Sequence, residues 1–328
     1  MAAVENPPLS VVVAIVSDTT GRRDTAHLEP CLDALGRQPL ASAMEIIVPY
    51  HPTVTGIAAL KGRYPNAHFL EVTDLRTYTG GEGREHHDEL RARGLARARG
   101  TVVALIEDHG VVAPDWSTRL LEAHAGPFAA LGGAIENGVD RPLNWAVYFC
   151  DFLRYQTPLP EGEAVNVSDA NVAYKRTALE SIRPIWQEIF HEHSVTAALR
   201  SRGEKLSLAP AAVLYQHRQG LRVSSALRER FVWGRSYAAT RGKLARVSQR
   251  VVWAVFAPAL PVLMMLRMTL MAWNKRRTMA AFLKAFPLTC ALVVSWSCGE
   301  WVGYLTGRAN AAGSLAAEAI ARGSQAPS

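Results

Sequence analysis

Short apolar runs alternate with amphipathic stretches through the first 125 residues of the chain. The continuous apolar runs predict buried strands, and the stretches in which apolar positions recur every three or four residues predict helices. Strands that are apolar throughout and separated by helices are typical of a parallel sheet covered on both faces, so the pattern predicts an α/β fold. The predicted strands are 9–16, 44–50, 67–72 and 101–108, and the predicted helices are 27–37, 54–63, 85–99 and 114–125.

Beyond residue 127 the pattern changes to mixed elements and then to long apolar runs. We predict strands 128–137 and 205–217, helices 143–155 and 190–200, a strand–turn–helix piece over 169–182 and a basic helix over 226–243. The runs 251–273 and 279–305 are strongly apolar, and the Ala-, Gly- and Ser-rich C-terminus predicts disorder. The chain therefore divides into an α/β domain (1–220), a basic amphipathic helix (221–250), a hydrophobic helical region (251–308) and a disordered tail (309–328).

Polar residues follow three of the predicted strands. Ligands of parallel sheets bind beyond the carboxyl ends of the strands. That rule selects Ser17-Asp18, Tyr50-His51 and Glu107-Asp108-His109. In the last group, two adjacent acids and an imidazole can hold a hard divalent cation together with the diphosphate that it neutralises. The alternative for this group is an ordinary solvated strand end.

Charge is distributed unevenly along the chain. The formal net charge is +7, but residues 1–217 carry 20 Lys and Arg against 26 Asp and Glu, whereas residues 218–328 carry 16 against 3. The basic third is interleaved with apolar runs, which suits an anionic membrane surface and argues against a nucleic-acid partner. The four cysteines form no CxxC pair, which indicates neither a disulfide framework nor a zinc site and favours a cytoplasmic setting.

The run 251–273 is apolar on every side, so a helix there is buried either in protein or in lipid. Its 16 uninterrupted residues before Arg267 span about 24 Å, less than the ~30 Å hydrocarbon core of a bilayer, and Pro258 and Pro261 predict a bend. A hairpin crossing would also carry the positive charges of 274–278 outward, against the positive-inside tendency. We therefore expect re-entrant or interfacial helices at the cytoplasmic face of the cell membrane, with a homo-oligomer interface as the alternative.

Five segments of the chain carry a family resemblance. They are ARARGTVVALIEDHGVVAPDW (96–116), GGAIENG (132–138), DANVAYKRTAL (169–179), FHEHSVTAALRSRG (190–203) and LYQH (214–217). Their order and spacing resemble those of family 2 glycosyltransferases of the GT-A type. The resemblance implies a GT-A (Rossmann-like) fold with a mixed, mainly parallel sheet, and an inverting, metal-dependent transfer of a sugar from a nucleotide diphosphate to a lipid-linked or cell-surface glycan acceptor. The QxxRW motif of processive synthases is missing, so the chain is similar to the non-processive branch.

The resemblance also implies roles for single residues, including an EDH variant of the DxD motif at 107–109. Glu192 corresponds to the acid that takes the proton from the acceptor hydroxyl, while Mn²⁺ or Mg²⁺ stabilises the leaving diphosphate. The donor, a UDP or GDP sugar, is expected to contact Ser17, Asp18, Tyr50, Arg91, Glu107, Asp108 and Asn171. The metal is expected to be bound by Glu107, His109 and His217.

Departures from the family pattern leave alternatives open. His109 stands where the family keeps an acid, and the strand before His51 lacks the acids that usually grip the base. Taken alone, 191–193 is a polar helix start, and adjacent residues there cannot chelate together as an HExxH motif does. Asn171 is alternatively an amide that closes a turn. Such substitutions are also expected of a catalytically inactive protein that binds a nucleotide or glycan in a membrane assembly.

Overall fold

The computed structural model describes residues 6–17, 23–78, 85–160, 162–243 and 245–307. The strands of these residues are β1 (Leu9–Ala14), β2 (Met44–Tyr50), β3 (Ala67–Glu71), β4 (Val102–Glu107), β5 (Gly110–Val112), β6 (Ala130–Asn137), β7 (Asn171–Lys175) and β8 (Leu206–Gln216). The helices are α1 (Leu28–Gly36), α2 (Ile57–Arg63), α3 (Glu85–Arg97), α4 (Trp116–His124), α5 (Pro142–Phe152), α6 (Arg176–Ser181), α7 (Arg183–Trp186), α8 (Glu192–Ser201), α9 (Val223–Lys243), α10 (Val247–Phe256), α11 (Leu260–Lys275) and α12 (Met279–Thr306).

The strands form one sheet in the order β3-β2-β1-β4-β7-β6-β8-β5. Strands β3, β2, β1 and β4 are mutually parallel, and β6 is parallel to β8, whereas β7 and β5 run antiparallel to their neighbours. The predicted fold class is confirmed as a mixed, mainly parallel, Rossmann-like sheet with helices and with apolar helices after it. Because the strand order changes direction between β1 and β4, their carboxyl ends form the crevice where such sheets bind ligands.

Alternate residues of the central strands face opposite layers of helices. Val11 and Val13 of β1 belong to the core that includes α1 and α4, whereas Val12 shares a core with Leu95 of α3 and with Trp186. Successive side chains of a strand point to opposite faces, so a strand covered on both sides has to be apolar at every position. Because both faces of these strands are buried, the strands appear in the sequence as continuous apolar runs.

The structure adds short elements to the predicted set and divides one predicted helix. Strand β5 and helix α7 are three and four residues long and left no periodic signal in the sequence. The run 251–273 is broken by a 3-10 turn over Ala257–Ala259, which contains Pro258. Proline lacks the backbone N–H that would continue the helical hydrogen bonds. The predicted bend is therefore confirmed, and α10 and α11 are separate helices.

Helices α9 to α12 form a C-terminal bundle (residues 223–306) beside the sheet domain. Helix α12 packs along α9 and also contacts α5, α10 and α11. The backbones of α9 and α12 come very close, because a Cβ atom at Gly299 would overlap the backbone oxygen of Phe231. The connection between α11 and α12 is tied to the sheet domain, since Arg277 Nη1 donates to Glu136 Oε1 at 2.9 Å.

Candidate active site

The carboxyl ends of β1 and β4 are joined by a buried carboxylate. Asp108, directly after β4, accepts a hydrogen bond from the backbone nitrogen of Val16 at 3.1 Å and another from the Ser17 hydroxyl. Burial alone would raise the pKa of Asp108, but its interactions with His109 and Ser17 lower it, so the group is an anion. Asp108 therefore fixes the two strand ends to each other, and its oxygens face donors of the protein.

The imidazole of His109 lies between two carboxylates. Its Nδ1 is 3.3 Å from Oδ1 of Asp108, and its Nε2 is 3.2 Å from Oε2 of Glu107. Burial alone would lower the pKa of His109, but the hydrogen bonds to these carboxylates and their charges raise it to about 9. At neutral pH the 107–109 segment thus combines one buried cation with two anions.

Arg91 of α3 is the second buried cation of the site. Its Nη1 donates to Oδ1 of Asp88 at 2.8 Å, and its Nη2 lies 3.3 Å from Oε1 of Glu107 and 3.1 Å from Oδ2 of Asp169. The Arg91 side chain is only 1% exposed. Against the effect of burial, His109 and Arg91 hold the pKa of Glu107 well below its usual range. The cation and its three carboxylates thus hold the end of β4 against α3.

Glu192 begins α8 and belongs to the same chain of charges. Its Oε2 accepts a hydrogen bond from the backbone nitrogen of Asp169 at 3.1 Å. Burial, followed by the negative charge of Asp169, raises the pKa of Glu192 to about 8. The Asp169 carboxylate also pairs with Arg91, which in turn contacts Glu107. One continuous set of contacts therefore links the end of β4 to the start of α8.

A cavity of about 370 Å³ brings these side chains together. Arg91, Glu107 and His109 line it from α3 and the end of β4, while Asp169 and Glu192 line it from the segment before β7 and from α8. A volume of this size lies within the usual range of small-molecule sites. Most of the remaining lining comes from residues 149–155 and from helices α9 and α11 of the C-terminal bundle. The cavity is therefore enclosed jointly by the sheet domain and the apolar helices.

Four of the residues that the sequence selected line this cavity, namely Arg91, Glu107, His109 and Glu192. Ser17 and Asp108 lie directly behind them, hydrogen bonded to each other. Asp18 lies outside the described residues. The remaining three are Tyr50, Asn171 and His217, and none of them is among the residues that line the cavity.

Tyr50 and Asn171 make their polar contacts within the protein. Tyr50 is buried at the end of β2, and its hydroxyl donates to Oε2 of Glu71 at 2.7 Å. Asn171 accepts a hydrogen bond from the indole of Trp116 at 3.0 Å, and its amide donates at 2.9 Å to backbone oxygens in β6 and in β8. Asn171 thus ties three strands together from inside the sheet, and no part of it is exposed to a ligand in the cavity.

The end of β8 reaches the same region through Gln216 as well as through the backbone of His217. The backbone nitrogen of His217 donates to the backbone oxygen of His109 at 2.7 Å. The side chain that approaches Glu107 is that of Gln216, whose Nε2 lies 3.3 Å from Oε2 of the carboxylate. Neighbouring side chains at a strand end point to opposite faces. Strand β8 therefore brings the Gln216 side chain to Glu107, and the metal-binding role of His217 stays a prediction.

The cavity offers a divalent cation part of a ligand set. In the ranges that the structure describes, no group of three or more His, Cys, Asp or Glu side chains is arranged to hold a metal. Glu107 and His109 nevertheless bring a carboxylate oxygen and an imidazole nitrogen within 3.2 Å of each other at the cavity. Cations at nucleotide sites often take only one or two protein ligands and complete their coordination with phosphate oxygens and water. The two donors fit such an ion, and the imidazole favours Mn²⁺ over Mg²⁺.

Asp169 is the main site residue that no signal in the sequence had selected. It lies in the segment DANVAYKRTAL, immediately before β7. Because β7 runs antiparallel to β4, with Asn171 opposite Ile106, the start of β7 lies at the same edge as the end of β4. A rule that examines only the carboxyl ends of strands misses such a position. The antiparallel pairing was the information needed to find it.

Comparison with known proteins gives similar solved structures but no match by sequence. No family model matches the chain, and no curated protein matches it. Among solved structures, the chain is similar to the mannosyltransferase PcManGT from Pyrobaculum calidifontis, in complex with GDP-Man and Mn²⁺. The TM-score is 0.47 and the sequence identity is 14%, over 99% of this chain and 83% of that chain. Likeness at this level carries no argument about function, and the fold class rests on the strand order and pairing.

Proposed function

We propose that this protein is an inverting, metal-dependent glycosyltransferase of family 2 that moves a sugar from a nucleotide-diphosphate sugar to a lipid-linked or cell-surface glycan acceptor. The observation that carries the proposal is the shared cavity, which Glu107 and His109 line from the end of the sheet and Glu192 lines from α8. The order of the motif segments along the chain supports the same family. In this proposal residues 1–220 form the catalytic domain, and residues 251–308 form the membrane-associated region.

Arg91 and a divalent ion bound beside it suit the diphosphate of the donor. Arg91 and His109 both lie beside Glu107 at the crevice of the sheet. Charge-assisted hydrogen bonds between arginine and phosphate are strong and directional. A divalent ion held by Glu107 and His109 would neutralise the charge that develops on the leaving diphosphate. With that ion bound, His109 is a neutral ligand, because a metal-bound imidazole nitrogen has lost its proton.

Glu192 is the general base of the proposed reaction. The acceptor hydroxyl oxygen attacks the anomeric carbon, the bond from that carbon to the diphosphate oxygen breaks, and the hydroxyl proton passes to the Glu192 carboxylate. The raised pKa of about 8 suits a group that accepts a proton near neutral pH. The backbone nitrogen of Asp169 donates to Oε2 of Glu192 and so helps to hold the carboxylate in place.

The C-terminal bundle supports a location at the cytoplasmic face of the membrane. Val247–Lys275 and Met279–Thr306 are long and apolar enough to cross a bilayer, and Val262 is 74% exposed. Because the α11–α12 connection returns to the sheet domain, these helices can cross only if α9 crosses too. Helix α9 contains Arg228, Glu229, Arg230, Arg235 and Arg241, which are costly in a hydrocarbon core. The helices are therefore re-entrant or interfacial in this proposal.

Nucleotide release by the full-length protein in nanodiscs tests the proposed activity. UDP and GDP sugars are screened for Mn²⁺-dependent release with a membrane lipid extract as acceptor. We expect release with one donor class and its loss in EDTA. Glu107→Gln should reduce release at least tenfold, because it removes a ligand charge, whereas Glu122→Gln on the exposed side of α4 should not.

The alternative function gives a different result in the same experiments. Donor binding in a calorimeter without transfer or hydrolysis for any acceptor would favour a non-catalytic binding protein. Full release in the presence of EDTA would contradict the role of Glu107 and His109. If no nucleotide sugar bound at all, the transferase and a nucleotide-binding role would both be excluded.

A further inference from the structure

Helix α11 separates the catalytic cavity from an exposed apolar surface. Its cavity face follows the i, i+3, i+4, i+7 spacing of one helix face and consists of Met264, Arg267, Met268 and Met271. Its other face includes Leu263, Leu266 and Leu270, which are 62%, 57% and 56% exposed. A single helix, roughly 10 Å across, therefore stands between the cavity and the surface that we assign to lipid.

The arginines of this part of the cavity differ in their partners. Two ion pairs are complete, Arg218 with Glu229 at 3.3 Å and Arg230 with Asp151 at 2.5 Å. Arg267 has no carboxylate within ion-pairing distance in the described part of the chain, and it is exposed. The same holds for Arg154, whose guanidinium lies 6.0 Å from the ring of Tyr155. Helix α11 packs against the 3-10 turn Leu153–Tyr155, which contains Arg154. Arg267 and Arg154, two cations without a carboxylate partner, thus lie on two cavity-lining elements that pack against each other.

We propose that the acceptor is an amphiphile in which a phosphate group joins an apolar chain to a headgroup that bears the reacting hydroxyl. This inference rests on the proposed transferase function. Arg267 and Arg154 bind the phosphate, because guanidinium groups form strong, charge-assisted hydrogen bonds with phosphate oxygens. The first part of the apolar chain lies along the three methionines of α11, whose flexible thioethers adapt to an irregular apolar partner. The headgroup hydroxyl reaches Glu192.

The two walls favour this acceptor over a water-soluble glycan. A soluble glycan would leave the methionine face of α11 without an apolar partner and Arg267 without an anion. An amphiphile places an apolar chain against the methionine face and a phosphate beside Arg267. Its chain can remain in lipid while its headgroup enters the cavity past α11. The reaction leaves the acceptor phosphate unchanged. The hydroxyl oxygen bonds to the anomeric carbon, the hydroxyl proton passes to Glu192, and the nucleoside diphosphate leaves with the electron pair of the broken bond.

Ligand binding to the full-length protein in maltoside detergent micelles, which contain no phosphate, tests the acceptor site directly. The probes are hexyl phosphate, hexanol and inorganic phosphate, titrated in a calorimeter without donor. We expect hexyl phosphate to bind most tightly, and Arg267→Gln to weaken it at least tenfold. Arg267→Lys should recover part of the affinity, because it restores the charge without the fork of donors. Lys284→Gln removes one exposed charge from α12 outside the cavity and should bind as the wild type does.

Three outcomes of the titrations would overturn the inference. Equal affinity for inorganic phosphate would identify a free-phosphate site, and equal affinity for hexanol would identify an apolar groove without headgroup recognition. Equal affinity in Arg267→Gln and the wild type would remove Arg267 from the site. The donor screen is independent of these titrations, so hexyl phosphate binding without nucleotide-sugar binding would remove the transferase function and keep the amphiphile site.

Discussion

Replacing Arg91 by glutamine removes the cation that joins three carboxylates of the site. The guanidinium is buried and lies 2.8 Å from Asp88, 3.1 Å from Asp169 and 3.3 Å from Glu107. Losing one partner of a buried ion pair typically costs about 3–5 kcal/mol, because the remaining charge is left uncompensated. Glutamine keeps most of the volume of arginine but none of its charge. We therefore expect Arg91→Gln to lower the free energy of unfolding by about 3–5 kcal/mol at pH 7.5.

Urea unfolding of the full-length protein in nanodiscs measures this loss. Arg97→Gln is the matched control, because Arg97 lies on the same helix, is exposed, and should change stability by less than about 0.5 kcal/mol. In Arg91→Gln the carboxylate of Glu107 loses one of the cations that lower its pKa, so that pKa rises and protonation of Glu107 relieves part of the repulsion. The difference in free energy of unfolding between the wild type and Arg91→Gln should therefore become smaller as the pH falls from 7.5 to 5. A loss below about 1 kcal/mol, or one that does not depend on pH, would refute the argument.

Three further predictions concern the base, the bundle and the sheet. Because Glu192 is protonated below its pKa of about 8, the transfer rate should rise about tenfold per pH unit below that value and level off above it; a flat profile between pH 6 and 9 would count against the base. Gly299→Val should force α9 and α12 apart and prevent the bundle from folding, which would be measured as a loss of incorporation into nanodiscs. Gly36→Ala is the control: there is open space around Gly36, so the free energy of unfolding should change by less than about 1 kcal/mol. Asn171→Ala should cost about 2 kcal/mol or more of stability in urea while leaving the donor Kd unchanged; a large donor effect with normal stability would contradict its place inside the sheet.

The strands and the ligand-binding crevice could both be predicted from the sequence, because both follow from a parallel sheet that helices cover on its two faces. A strand covered on both faces is apolar at each position, and its polar successor lies at the ligand edge. This reasoning found Glu107 and His109, which line the cavity, and Ser17, which lies behind them. Short elements such as β5 bury too little surface to impose a period, so the sequence did not reveal them.

The parts of the site that were missed depend on pairing and on tertiary contacts. The contact of Gln216 with Glu107 depends on the orientation of β8, which composition does not encode. Asp169 required knowledge that β7 is antiparallel. In the sequence Arg267 only interrupts an apolar run. Its position at the cavity depends on how α11 packs against the sheet domain.

The role of Glu192 is tested most directly by measuring donor binding and sugar transfer on the same preparation of Glu192→Gln. The substitution keeps the shape of the side chain and removes its ability to take a proton. We predict a donor Kd within about threefold of wild type, together with a fall in transfer rate of about 10²–10⁴-fold. Transfer at the wild-type rate with intact donor binding would show that the carboxylate facing this cavity is not the base.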